Sequence, residues 1–242
     1  MQQLTRLSRE RNENGDGHMT GTDWSDVRGR LARLASDPRT TRIFGAGGAA
    51  GHGWRLEPPL TATELRNLED QLGVELPGEY RSFLVEASAG GAGPAYGLFP
   101  VHRKDGRWLW EGDGADLTDL GTLSQPFPHT GAFNPADGLP DPPAEADYDT
   151  VEAYEAAAEA FWARRQEVVF RPEHSIGLLY LCHLGCAYRE ALVVSGPARG
   201  QMWADDTTTD GGFRPLADDV GTPLGFTRWY RQWLDNSEAQ RI

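Results

Sequence analysis

The chain has little cysteine, little positive charge and no long apolar run. Only Cys182 and Cys186 occur among its 242 residues, so there is no disulfide framework and nothing argues for secretion. No run of about 18 apolar residues exists, which argues against a membrane-spanning helix. The opening stretch MQQLTRLSRERNENGDGHM lacks the apolar core of a signal peptide. Lys and Arg number 23 against 36 Asp and Glu, a formal net charge of −13. Non-specific nucleic-acid binding runs on cations that neutralise phosphates, and anionic membranes repel an acidic surface. The expectation is a cytoplasmic protein with neither nucleic acid nor membrane as partner. A basic protein is the electrostatic complement, although acidity can also serve solubility alone.

Catalytic motifs are missing too. There is no Gly-x-Ser-x-Gly elbow and no His-Glu-x-x-His pair, and His18, His52, His102, His129, His174 and His183 are scattered. No catalytic residue and no cofactor is assigned. Cys182, His183 and Cys186 lie close together, but no second cysteine pair or histidine pair completes a zinc set. Both cysteines therefore read as buried structural residues. Gly45-x-Gly47-x-x-Ala50 is a relaxed dinucleotide fingerprint without the preceding strand and following helix that the motif needs, and Pro58-Pro59 comes soon after. It reads as a glycine loop.

What the sequence does contain is glycine (29), proline (16), and 39% hydrophobic residues, enough for a globular core with much loop. Residues 1–21 read as a disordered leader, with Met19 as a candidate true start. After Thr22-Asp23 as N-cap, Trp24, Val27, Leu31 and Leu34 predict a short amphipathic helix. Thr61 to Glu64 is a capping box, and Leu65, Leu68 and Leu72 extend it to Gly73. Pro77 then opens a second helix whose apolar face is Tyr80, Phe83, Leu84 and Ala87. Gly90 and Gly91 are expected to stop it, and Gly93-Pro94 to turn the chain. Tyr96, Leu98, Phe99 and Val101 predict a strand entering the core, with a second at Arg107–Trp110.

This stretch, LPGEYRSFLVEASAGGAGPAYGLFP, resembles the SUKH superfamily, bacterial immunity proteins related to a yeast cell-wall-synthesis regulator. Leu76, Pro77, Tyr80, Phe83, Leu84, Gly90, Gly91, Gly93, Pro94, Tyr96, Gly97 and Leu98 sit where the family pattern wants them. Two downstream blocks match as well. Gly177 to Asp205, with Trp203, looks like the family's sheet, and Phe226 to Asp235, with Trp229 and Trp233, looks like its closing helix. The resemblance implies a non-enzymatic protein that binds a cognate toxin. The alternative is a regulatory or scaffold module of a cellular pathway, as the yeast relative suggests. An enzyme comes third, favoured only by a cleft that gathers His102 or His183 with carboxylates.

The expected fold is α+β, a mainly antiparallel sheet of five to six strands with helices packed against it. Residues 22–242 read as one domain with an N-terminal extension (22–55) and an acidic, proline-rich insertion (111–148). Residues 111–160 hold twelve carboxylates and no Lys or Arg. Asp149 to Glu152 offers a capping box for a helix with Val151, Tyr154, Ala158, Phe161 and Trp162 on its apolar face and Arg164 and Arg165 near its end. Ile176–Leu181, Tyr188–Val194, Gln201–Trp203 and Phe213–Leu216 read as an antiparallel meander, with Asp205, Asp206 and Asp210 on the loop before its last strand. Thr222-Pro223 is expected to open the final helix, with Phe226, Trp229, Tyr230, Trp233 and Leu234 packing inward. Two acidic clusters are the candidate contacts for a basic toxin domain: Glu111, Asp113, Asp116 and Asp119, and Asp205, Asp206, Asp210, Asp218 and Asp219.

Overall fold

In the computed structural model, which describes residues 23–49, 51–209 and 211–240, the elements follow one another along the chain. They are α1 (Val27–Ala35), α2 (Ala62–Leu72), α3 (Gly78–Glu86), β1 (Val101–Lys104), β2 (Arg107–Trp110), α4 (Val151–Val169), β3 (Leu178–Gly185), β4 (Tyr188–Val193), β5 (Met202–Asp206), β6 (Gly212–Pro215) and α5 (Phe226–Ala239). The readings of the leader, His18, Met19, Thr22, Ala50 and Asp210 fall outside the described residues. The class is α+β, but the sheet is not one of five or six strands. β3-β4-β5-β6 form an antiparallel meander and β1-β2 a separate two-stranded ribbon. The segment before the ribbon bonds to β3 through a bridge from Leu98 to Cys182, a 2.7 Å bond from the Phe99 N–H to the Leu181 carbonyl and a 3.4 Å bond from the Tyr96 N–H to the His183 carbonyl.

Local chemistry explains the helices. Thr61 and Glu64 cap each other as the sequence predicts, the hydroxyl accepting at 3.2 Å and the carboxylate at 2.8 Å. Pro77 is the N-cap of α3 rather than its first helical residue. α3 also ends at Glu86, ahead of the glycines expected to stop it. There the Ala87 and Ser88 N–H groups both bond to the Phe83 carbonyl, and the Ser88 hydroxyl donates to Glu57 and accepts from Gly90. Gly91 does something else. It bridges Leu56 on one side and Leu98 on the other, at φ 102°, where a Cβ would lie 2.5 Å from the Arg55 carbonyl. The glycine corner thus ties residues 55–56, the corner itself and, through Leu98, β3.

Several element starts shift for physical reasons. α1 has Asp26 at its N-cap with no side-chain capping bond, while Asp23 accepts from the Ser25 N–H. α4 is capped by Thr150, whose hydroxyl accepts the Ala153 N–H at 3.2 Å, so the Asp149–Glu152 box does not form. α5 begins at Phe226 rather than Thr222, because Asp218 holds the Val220 and Thr222 N–H groups in a turn. The Thr227 N–H is instead met by Glu79 of α3 at 2.9 Å.

The core sits between the meander and α1, α3 and α5. Trp24 is fully buried, edge-on to Phe83, Phe226 and Tyr230 at centroid distances of 5.0, 6.1 and 5.9 Å. The N-terminal segment is therefore core, and Arg30 fastens α1 to α5 through Asp235 and Glu238 at 2.5 and 2.7 Å. Two expected core positions are not buried. Tyr96 is 40% exposed and Trp233 is half-buried. The α4 face is the larger difference: Val151 and Trp162 are about half exposed, and Val169 is the one buried residue of that helix. Arg164 and Arg165 lie before its last turn, and Arg165 bonds the Thr207 and Thr209 carbonyls.

Two predictions follow from this packing. Tyr80 is buried, and its hydroxyl accepts the Trp110 indole N–H at 2.8 Å. Tyr80→Ala is expected to cost about 3–5 kcal/mol, and Tyr80→Phe about 1–3 kcal/mol because the Trp110 donor is orphaned; urea unfolding measures both. The second concerns His52, packed against Trp54 and Trp233, whose Nδ1 accepts the Trp54 N–H. Burial pushes its pKa down from 6.5 to about 4. The unfolded chain therefore takes up this proton first as pH falls. Stability is full above pH 6.5 and declines toward pH 4, by at most about 3 kcal/mol. His52→Asn keeps an acceptor and is expected to flatten that decline in thermal midpoints; an unchanged slope would rule His52 out as its source.

Candidate functional site

The first acidic cluster begins where β2 ends. Glu111 is fixed by its N–H to the Pro100 carbonyl, and its exposed carboxylate lies 3.0 Å from Nε2 of the partly exposed His102. Asp113 lies 3.6 Å from His183 Nδ1 and 3.5 Å from Arg189 Nη2. Gly114 lets Arg189 lie flat against the backbone, since a Cβ there would fall 1.8 Å from Arg189 Nε. Asp116 and Asp119 are exposed, and Asp119 accepts the Gly121 N–H.

The second cluster is internally engaged. Asp205 and Asp206 lie on β5 rather than on the following loop. Asp205 is buried and accepts from the Tyr180 hydroxyl at 2.7 Å and from the Thr207 N–H and hydroxyl at 3.1 and 2.6 Å. Burial, with the Asp205 charge alongside, pushes the Tyr180 phenol well above its ordinary pKa. Asp206 pairs with Arg214 at 3.0 Å and Asp218 with Arg228 at 2.6 Å. The Thr222 and Val220 N–H groups and Arg228 hold the Asp218 carboxyl below the usual carboxylate range. Asp219 is exposed.

The two clusters meet at one cavity of about 270 Å³, where Asp116, Asp119 and Asp205 face Arg171, Arg189 and His174. Asp218 and Asp219 line a separate groove of about 600 Å³ with Arg228 and Arg231.

The cysteines divide. Cys182 is buried beside Glu190, its Sγ 3.6 Å from the carboxylate, and burial pushes the thiol well above its ordinary pKa. Cys186 is exposed, contrary to the buried reading, because it sits in the tight β3–β4 turn at φ 49°. Among the described residues no group of three or more His, Cys, Asp or Glu is placed to hold a metal ion. Among the same residues no helix is long and apolar enough to cross a membrane.

Sequence reasoning missed an aromatic ridge. Phe44, 62% exposed, lies edge-on to Tyr96 at 5.3 Å, and Tyr96 stacks on His183 at 5.6 Å. On one side a groove of about 460 Å³ is lined by Tyr96, Leu98, Phe99, Glu111, Asp113 and His183. It gathers His183 with Glu111 and Asp113, the arrangement named above as favouring the enzyme alternative. On the other side lies a groove of about 330 Å³ that contains Glu190. The sequence signal for that second groove is a glutamate in the β-rich run Tyr188–Val193. Nothing in the sequence marks Phe44, which meets Tyr96 only through the fold. In comparisons with protein-family models, curated proteins and solved structures, nothing matches the chain.

The two kinds of acid are separable by experiment. Asp205→Ala strands the buried Tyr180 hydroxyl and is expected to cost about 1–3 kcal/mol. Asp219→Ala, on an exposed residue, is expected to stay within about 0.5 kcal/mol. Urea denaturation of the two variants checks both values.

Proposed function

We propose that the chain is a non-enzymatic immunity protein that binds and neutralises a cognate bacterial toxin carrying a basic, nuclease-type domain. The sequence support is the set of three blocks that resemble the SUKH superfamily. The structural support is one observation: the carboxylates from Asp116 to Glu159 are all exposed, and among the described residues none of them makes an ion pair. Asp205, Asp206 and Asp218 of the second cluster are already engaged, so free negative charge concentrates in the insertion and the first half of α4. A nuclease must hold phosphates in a basic cleft. Unpaired carboxylates attract such a cleft, speed encounter and disfavour other partners. Neutralisation is then stoichiometric occlusion in the cytoplasm, which requires neither catalytic group nor cofactor.

A second reading is a protein-binding scaffold module. It draws on α4, where Val151 and Trp162 expose apolar surface beside the acids. An apolar partner would dock there with little dependence on salt.

The deciding experiment is affinity capture with the tagged protein at low and high salt, followed by co-expression. The expected outcome is one basic protein, retained at low salt, that is toxic alone and harmless in the presence of this chain. Replacing Asp137, Asp141, Glu145 and Asp147 by their amides is expected to slow association several-fold. Capture of several unrelated proteins, of none, or of a partner without toxicity would overturn the immunity reading.

A further inference from the structure

Glu190 is the half-buried carboxylate on β4 for which the proposed function has no use. It stands opposite Cys182 of β3 in register and beneath Trp229 of α5. Its Oε2 accepts the Trp229 indole N–H at 2.9 Å and contacts the Cys182 thiol at 3.6 Å, two neutral donors. Its Oε1 accepts no hydrogen bond, and the group makes no ion pair among the described residues. Arg214 acts on it only at a distance and is itself paired with Asp206 at 3.0 Å. A half-buried carboxylate without a cation is costly to ionise, and a cation seated beside it would offset that cost.

The surroundings define that charge. The groove beside Glu190, about 330 Å³, is walled by Phe44, Leu184, Trp229 and Trp233, with Gln232 and Asn236 at hand as polar groups. Aromatic faces and an apolar wall favour a weakly hydrated, planar cation over a compact, strongly hydrated one. The free Oε1 supplies one strong acceptor for it, and side-chain amide oxygens can take the remaining N–H groups.

We propose that this groove seats an arginine side chain presented by a basic protein partner, with the guanidinium on Glu190 and the stem against Phe44 and Trp233. The identity of the partner as a toxin rests on the function proposed above; the groove's preference for arginine does not.

The test is ¹⁵N-resolved NMR of the indole N–H groups at pH 8. Burial raises the Glu190 carboxyl above its ordinary pKa, and an alkaline pH favours its charged form. The probes are the blocked tripeptides Ac-Gly-Arg-Gly-NH₂, its lysine analogue and its norleucine analogue, with the Trp229 resonance assigned by Trp229→Phe. The expected result is a saturable shift of the Trp229 signal with the arginine peptide. Affinity should be at least tenfold weaker for norleucine and weaker for lysine, and the buried Trp24 signal should stay still. Glu190→Gln keeps an acceptor for Trp229 but removes the charge, and is expected to weaken binding at least tenfold. Phe44→Ala, at an exposed position, provides a second variant with the same expected direction.

No saturable shift, an equal response to norleucine, tighter binding of lysine, or unchanged affinity in both variants would overturn the proposal. Arginine binding at Trp229 with no basic protein captured would remove the toxin reading and leave the groove. A captured toxin whose complex leaves the Trp229 signal unmoved would do the reverse.

Discussion

The fold depends on a close approach of three backbones at Gly91. Leu56, Gly91 and Leu98 are joined by successive bridges, and Leu98 passes the ladder on to Cys182 in the meander. A side chain at Gly91 would collide with the Arg55 carbonyl, so the segment before α2 could not lie this near. The same ladder aims the residues around it. It brings the Phe99 and Tyr96 N–H groups to the Leu181 and His183 carbonyls of β3, and the turn holding Phe44 lies against the Tyr96 ring. The ridge and both its grooves follow from one backbone contact that only glycine permits.

Above that contact the helices are held by aromatic packing rather than by the polar links at their rims. Trp24, Phe83, Phe226 and Tyr230 meet edge to face, while Arg30 and Arg231 tie α1 to α5 from partly exposed positions. Surface ion pairs contribute little singly, and burial of large rings contributes several kcal/mol each. The electrostatic clamp orients α1, and the rings hold it.

Local signals were readable, and non-local ones were not. The Thr61 capping box and the Tyr80–Phe83–Leu84 face are encoded within a single turn or two, and both form as read. The meander is legible because its strands are consecutive and its turns carry glycine. α4 shows the limit: its spacing specifies an apolar stripe but not whether any element lies opposite, and little does. Asp205 and Tyr96 show the same limit from either side. An aspartate in an acidic run is buried where Tyr180 meets it, and a tyrosine in a core-like run leaves its ring 40% exposed although its N–H bonds to β3. In the candidate site, the exposed acids of the insertion were visible as composition. The Glu190 groove was not, since its walls come from residues as far apart in sequence as Phe44 and Trp233.

The aromatic cluster also sets a schedule for synthesis. Phe83 leaves the ribosome long before Phe226, so the apolar face of α3 waits for a partner that is made much later. At ordinary rates of elongation that wait is roughly ten seconds or more. During it the nascent chain already carries the acidic 111–148 segment, a stretch of like charge that keeps neighbouring chains on a polysome apart while the hydrophobic half of the core is still open.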